Sequence, residues 1–161
     1  MTSESVLRLV LAALLLGAAH ALRVPKLLEG AVLVAVLGAT LAGVTGAYNS
    51  VWWLDDVAHF FVTGLLALAA TVGVTRHEAW GPQSSDQHLS TCIVVAVLAG
   101  LAFALLWELY EWGAINVLGA RLLVSNTDML ADVSEGALAA LMGGLAVGGL
   151  GRRSGKSWGE R

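Results

Sequence analysis

Apolar residues run along this chain in long, nearly unbroken blocks separated by short polar punctuation. The blocks are residues 6–22, 27–47, 51–74, 91–118 and 128–150. About 20 mostly apolar residues suffice to carry a helix across a bilayer. None of the blocks shows the period-two alternation of a barrel strand. Inside hydrocarbon a segment must satisfy its own backbone hydrogen bonds, as a helix does. The pattern therefore predicts an all-α, polytopic membrane protein, a bundle of about five transmembrane helices forming a single domain. The connectors are polar: Arg23-Val-Pro-Lys26, Tyr48-Asn-Ser50, a longer stretch around Pro82-Gln-Ser-Ser-Asp86, and Gly119 to Thr127 with Arg121. Residues 151–161 form a tail rich in glycine, serine, lysine and arginine. Leu9 to Ala21 also resembles the apolar core of a signal peptide, with Ala19-His-Ala21 as a cleavage-like triplet. Glu4 beside Arg8 makes the preceding region a poor match.

Composition narrows the class further. Hydrophobic residues make up 57% and charged residues 13% of the 161 positions, against roughly 25% charged in a soluble domain. A net charge of −3 provides no basic footprint for nucleic acid. The single cysteine, Cys92, excludes an internal disulfide, and no zinc-type Cys/His spacing occurs. Positive charge sets orientation. With five spans, Arg23, Lys26, Arg76, Arg152, Arg153, Lys156 and Arg161 fall on one side, and only Arg8 and Arg121 on the other. This bias predicts a plasma-membrane protein with its N-terminus outside and its C-terminus in the cytoplasm. Tyr48, Trp52, Trp53, Tyr110 and Trp112 then lie near outer ends of spans as interfacial anchors.

Alternation of the spans gathers the acids. Asp55, Asp56 and His59 open the third span, Glu108 and Glu111 close the fourth, and Asp128, Asp132 and Glu135 open the fifth. All fall at one membrane depth whichever way the chain is oriented. Asp55 and His59 are four residues apart, as are Asp128 and Asp132, while Glu108 and Glu111 are three apart. Such spacings put side chains on one helical face. Small residues continue these faces: Cys92, Ala96, Gly100 and Ala104 lead to Glu108, and Gly136, Ala140, Gly144 and Gly148 follow Asp132. Thr63 and Ala67 follow His59. Small-xxx-small stripes let membrane helices pack closely, so the acids are expected to face the bundle interior.

An aspartate at a helix centre costs roughly 2.5–3.5 kcal/mol on insertion scales. Seven carboxylates at one depth therefore call for protons, partners or bound cations. Purely structural roles are equally specific. Asp55, Asp56 and Asp128 also suit the first turn of a helix by the dipole. Glu111 suits the head-group layer, Glu135 a helix–helix hydrogen bond, and Arg121 a lipid anchor. The functional reading takes Asp55, His59, Glu108, Glu111, Asp128 and Asp132 as ligands of a divalent metal ion, the oxygen-rich inventory of carboxylate sites in bundles. Within it Asp55, His59, Glu108 and Asp132 are the catalytic candidates, and Arg121 is the candidate for binding an anionic substrate. A metal there could activate water or clamp phosphate. That points to a hydrolase or transferase on a lipid-linked or envelope substrate. A proton-coupled or cation transporter, or a small subunit of a membrane complex, remains an alternative. Membrane lipids are the expected surroundings, and the small-residue stripes permit a homo-oligomer as well as internal packing.

Three of these elements resemble a known family. Asp55-Asp-Val-Ala-His59-Phe60, Glu108-Leu-Tyr-Glu111-Trp112, and Asp128-Met-Leu-Ala-Asp132 running into Gly136 are similar to the YjdF-type small membrane proteins. They are more distantly similar to the VanZ-like family, which usually carries Gln at the position of Glu111. The likeness covers the chain from the third span onward. It implies a multi-pass membrane location, gives Asp55, His59, Glu108, Glu111 and Asp128 family counterparts, and implies no particular reaction.

Overall fold

In a computed structural model the chain is all-helical over the residues described, 3–76, 85–119 and 126–154. Five helices follow one another: α1 (Ser3–Ala21), α2 (Lys26–Thr45), α3 (Leu54–Arg76), α4 (Ser85–Asn116) and α5 (Asn126–Ser154). A single 3₁₀ turn, Ala47–Asn49, lies between α2 and α3. Residues 77–84 of the longer connector, residues 120–125 with Arg121, and residues 155–161 lie outside the described residues.

Four helices are long and apolar enough to cross a membrane: Lys26–Thr45, Leu54–Thr75, Asp86–Asn116 and Met129–Leu150. The first helix is the exception among the five spans expected. Its apolar part, Ser5–Ala21, is shorter than the rest, and Arg8 interrupts it. At 1.5 Å per residue it reaches about 26 Å, a little under the hydrocarbon thickness. The fourth helix is longer than its predicted span, starting at Ser85 rather than Thr91. At about 48 Å it exceeds the hydrocarbon core.

The turns follow local chemistry. Gly46 ends α2 in the left-handed conformation (φ 74°), and its N–H reaches back to the carbonyls of Ala42 and Gly43, the usual closure of a helix by glycine. The turn from α1 to α2 puts Arg23 at φ 50° ahead of Pro25. It is tied by His20 Nδ1 to Glu29 Oε1 and Lys26 Nζ to Glu29 Oε2, both at 2.7 Å.

α3 is the central helix, with 56% of its span window buried, against 17–28% for the other three. It packs in two different ways. Towards α4 and α5 the contact is built from small residues. A Cβ on Gly136 would meet Thr63 and Ala104, one on Gly144 would meet Ala96 and the Cys92 carbonyl, and one on Gly100 would collide with Ala140. Cys92, Ala96, Ala104, Ala140, Thr63 and Ala67 are all buried, so the stripes read from the sequence do bring three backbones together. Towards α1 and α2 the contact is made by larger aliphatic side chains, including Val32, Val36, Val62, Leu66 and Val72.

Candidate functional site

Antiparallel stacking brings the start of α3, the end of α4 and the start of α5 to one end of the bundle. His59 sits one turn into α3 and is 2% exposed. Its Nε2 lies 3.8 Å from Asp55 Oδ1 on its own helix and 3.7 Å from Asp132 Oδ2 on α5. Asp132 is 1% exposed. Both separations exceed hydrogen-bond distance, and neither ring nitrogen of His59 makes a hydrogen bond among the described residues. Burying such a group unsatisfied costs about 1–3 kcal/mol.

Two three-residue groups place their donor atoms within 4.8 Å of one another: Asp55, His59 and Asp132, and Asp56, Asp132 and Glu135. Asp132 belongs to both. Two atoms bound at about 2.1 Å to one ion can lie up to about 4.2 Å apart. The gaps around His59 therefore fit a shared ion.

Glu108 and Glu111 lie outside both groups. Glu111, 7% exposed, accepts a hydrogen bond from Trp107 Nε1 at 3.2 Å and sits within electrostatic range of Asp55, Glu108 and Arg8. Asp128 lies in the first turn of α5, and its side chain is outside the described set. Arg121 lies outside it altogether.

The tryptophan links the parts. Its ring meets His59 edge-on, with centroids 5.0 Å apart and planes at 72°, and it lies 6.0 Å from Tyr110. Arg8 enters from α1, buried to 7% exposure, with its guanidinium 5.5 Å from the centre of the Tyr110 ring, a cation–π arrangement. Gly43 on α2 provides the room, since a Cβ there would collide with the guanidinium.

Four residues at this site lie outside the expected ligand set. Asp56 and Glu135 stand among the acids gathered at this depth, and Glu135, three residues after Asp132, shares its face, whereas the pairing of Asp56 with them depends on the rotation of α3 against α5. Arg8 reads in the sequence only as an orientation charge, although an arginine inside an apolar block is itself a signal. Trp107 carries no signal that distinguishes it from a lipid-facing aromatic.

The sequence profile of a family described as "Predicted membrane protein (DUF2238)" matches residues 1–157. The chain belongs to the DUF2238 family. The match takes in all five helices and the whole acidic cluster, so the likeness extends over α1 and α2 as well as the motif-bearing half. No curated protein and no solved structure matches the chain. For this DUF2238 member, membrane residence is the family-level statement, and the chemistry rests on the site itself.

Proposed function

We propose that this protein holds a divalent cation at the Asp55–His59–Asp132 group and uses it, from the outer face of the plasma membrane, for hydrolysis or group transfer on a lipid-linked or envelope substrate. The observation that carries the reading is His59: buried, without a hydrogen bond among the described residues, and set between two carboxylates at 3.7 and 3.8 Å. Imidazole with carboxylates suits Mn²⁺, Fe²⁺ or Zn²⁺, and a bound cation would offset the charge gathered there. Asp56 and Glu135 could complete the coordination through Asp132. Glu108 and Glu111 stand behind them as acid–base groups. The likeness of the three motif elements to YjdF-type and VanZ-like proteins is consistent with a shared site, without naming its reaction.

The packing below the cluster favours this reading over a transport path. Beneath His59 and Asp132 the three helices meet through Thr63, Ala67, Gly100, Gly136 and Ala140, a tight floor with few polar groups to carry an ion onward.

Elemental analysis of detergent-purified protein tests the proposal. About one divalent ion per chain is expected after mild washing. His59→Ala and Asp132→Asn should each weaken retention at least tenfold, while Asp86→Asn, at the far end of α4, leaves it unchanged. A wild-type protein that elutes folded and metal-free after growth with added Mn²⁺, Fe²⁺ or Zn²⁺ would overturn it.

A further inference from the structure

Beside the acidic cluster lies a cavity of about 200 Å³ between α1, α2, α3 and α4. Most of its wall is aliphatic or aromatic, with Leu11 and Leu15 from α1, Val36 from α2, Leu66 from α3 and Phe103 from α4. Five polar-tipped residues also line it: Arg8, Thr40, Thr63, Trp107 and Tyr110. They are grouped towards the end of the bundle that carries the acids, because Arg8 opens α1, Thr63 is one turn below His59, and Trp107 and Tyr110 precede Glu111. From Arg8 to Leu15 the cavity follows about 10 Å of α1.

Three physical points limit what can fill it. First, apolar cavities of this size do not hold water stably, and one of about 150 Å³ takes up benzene. Second, Leu106 lines the cavity and is also 58% exposed on the outside of the bundle. The opening therefore lies in the half of α4 that leads to Glu108, within its membrane-spanning segment, where the surroundings are lipid chains. Third, the one cationic side chain among the described lining residues is Arg8, which lies over Tyr110 and whose several guanidinium N–H groups can also donate to phosphate oxygens.

We propose that this cavity binds one hydrocarbon chain of a membrane phospholipid, entering beside Leu106, with the lipid's phosphate held by Arg8 at the acidic end. The site is separate from the metal group and does not require it. Trp107 is the shared wall, touching His59 on one side and the cavity on the other. A lipid seated here has its phosphate next to the Asp55–His59–Asp132 group. If the metal reading also holds, the same cavity selects its substrate as a phosphate ester bearing a long chain.

The test is lipid retention by the full chain in nanodiscs, read by native mass spectrometry, with a phosphatidylglycerol carrying a mid-chain diazirine for crosslinking. The wild type should retain one phosphatidylglycerol, with crosslinks on α1 and α4 residues around Leu11, Leu15 and Phe103. Diacylglycerol, which has the chains but no phosphate, should be retained at least fivefold less. Ala12→Phe and Leu15→Phe, which fill the cavity from two positions, should each cut retention and crosslinking at least fivefold. Arg8→Gln should erase the preference for phosphatidylglycerol over diacylglycerol, and Arg8→Lys should restore part of it. Equal retention of both lipids by the wild type, or unchanged crosslinking in whichever filled variant stays monodisperse, overturns the proposal. Retention that disappears on chelation also overturns it, by placing the phosphate on a metal instead of Arg8. Metal-free protein that still retains phosphatidylglycerol supports the lipid site while removing the metal reading, so the two stand or fall separately.

Discussion

Each residue of the cluster is held by a different constraint, and Trp107 shows how closely they are coupled. Its indole N–H is committed to Glu111 at 3.2 Å, and its ring edge meets His59. A paramagnetic ion at His59 would therefore sit beside an indole. Titration with Co²⁺ should quench part of the tryptophan fluorescence of the wild type. In Trp107→Phe the quenching should largely vanish while Co²⁺ still binds by equilibrium dialysis, because phenylalanine keeps an aromatic ring in the slot and loses the indole fluorophore with its N–H. Loss of the hydrogen bond to Glu111, which lies outside both donor groups, should weaken affinity by about tenfold, the low end of the range for supporting contacts. Unchanged quenching in the variant would place the ion away from His59. The convergence of acids at one depth was legible in the sequence, since it needs only alternation of spans. Which acids share a centre was not. Asp55 and Asp56 differ by one residue, so they point about 100° apart around α3. The structure gives Asp55 to the His59 group and Asp56 to the Glu135 group. That distinction depends on the rotation of α3 against α5, which is set by tertiary packing.

At the scale of elements, close approach of α3, α4 and α5 is the condition for the cluster to exist, and glycine supplies it. A side chain at Gly100 would collide with Ala140 and press on the Gly136 carbonyl. Gly100→Val should thus cost about 1–3 kcal/mol, the usual range for overpacking, and lower the thermal midpoint measured by fluorescence-detected size exclusion. Gly38 on α2 faces open space, with no neighbouring atom within 4 Å of where a Cβ would lie. Gly38→Ala should therefore be neutral or gain up to about 1 kcal/mol from helix propensity. Equal effects at the two sites would contradict the packing described. Gly46 is a third kind of glycine, held at φ 74°, where Gly46→Ala should cost about 1 kcal/mol through backbone strain alone. These stripes were readable from four-residue spacing, and burial of Cys92, Ala96, Gly100 and Ala104 on one face of α4 bears them out. The position of α1 was less readable. It packs through Ala12 and Ala19, two of many small residues in α1, so spacing does not single out their face, and Arg8 turns inward to Tyr110.

For the molecule as a whole, the orientation in the membrane decides which compartment supplies the site. The helices are antiparallel neighbours, so the end bearing Asp55, Glu111 and Asp132 also carries the 3₁₀ turn and Trp52, which is 84% exposed. The opposite end carries the exposed Arg23 and Lys26 beside His20 and Glu29. Among the described residues Arg23, Lys26, Arg76, Arg152 and Arg153 belong to elements that end on that opposite side, against Arg8 at the acidic end, and retention of positive charge in the cytoplasm predicts that the acidic end faces outward. Cysteine labelling in intact cells can decide it. Cys92 is fully buried, and replacing it with alanine removes any background. In that chain Trp52→Cys should react with a membrane-impermeant maleimide in intact cells. Arg23→Cys, in the turn between α1 and α2, should react only after permeabilisation. The reverse pattern would turn the cluster towards the cytoplasm. The metal and lipid sites would keep their geometry, because neither depends on which leaflet they face. Their substrate would then come from the inner leaflet, and the envelope-facing part of the proposed function would fall while the chemistry of the site stood.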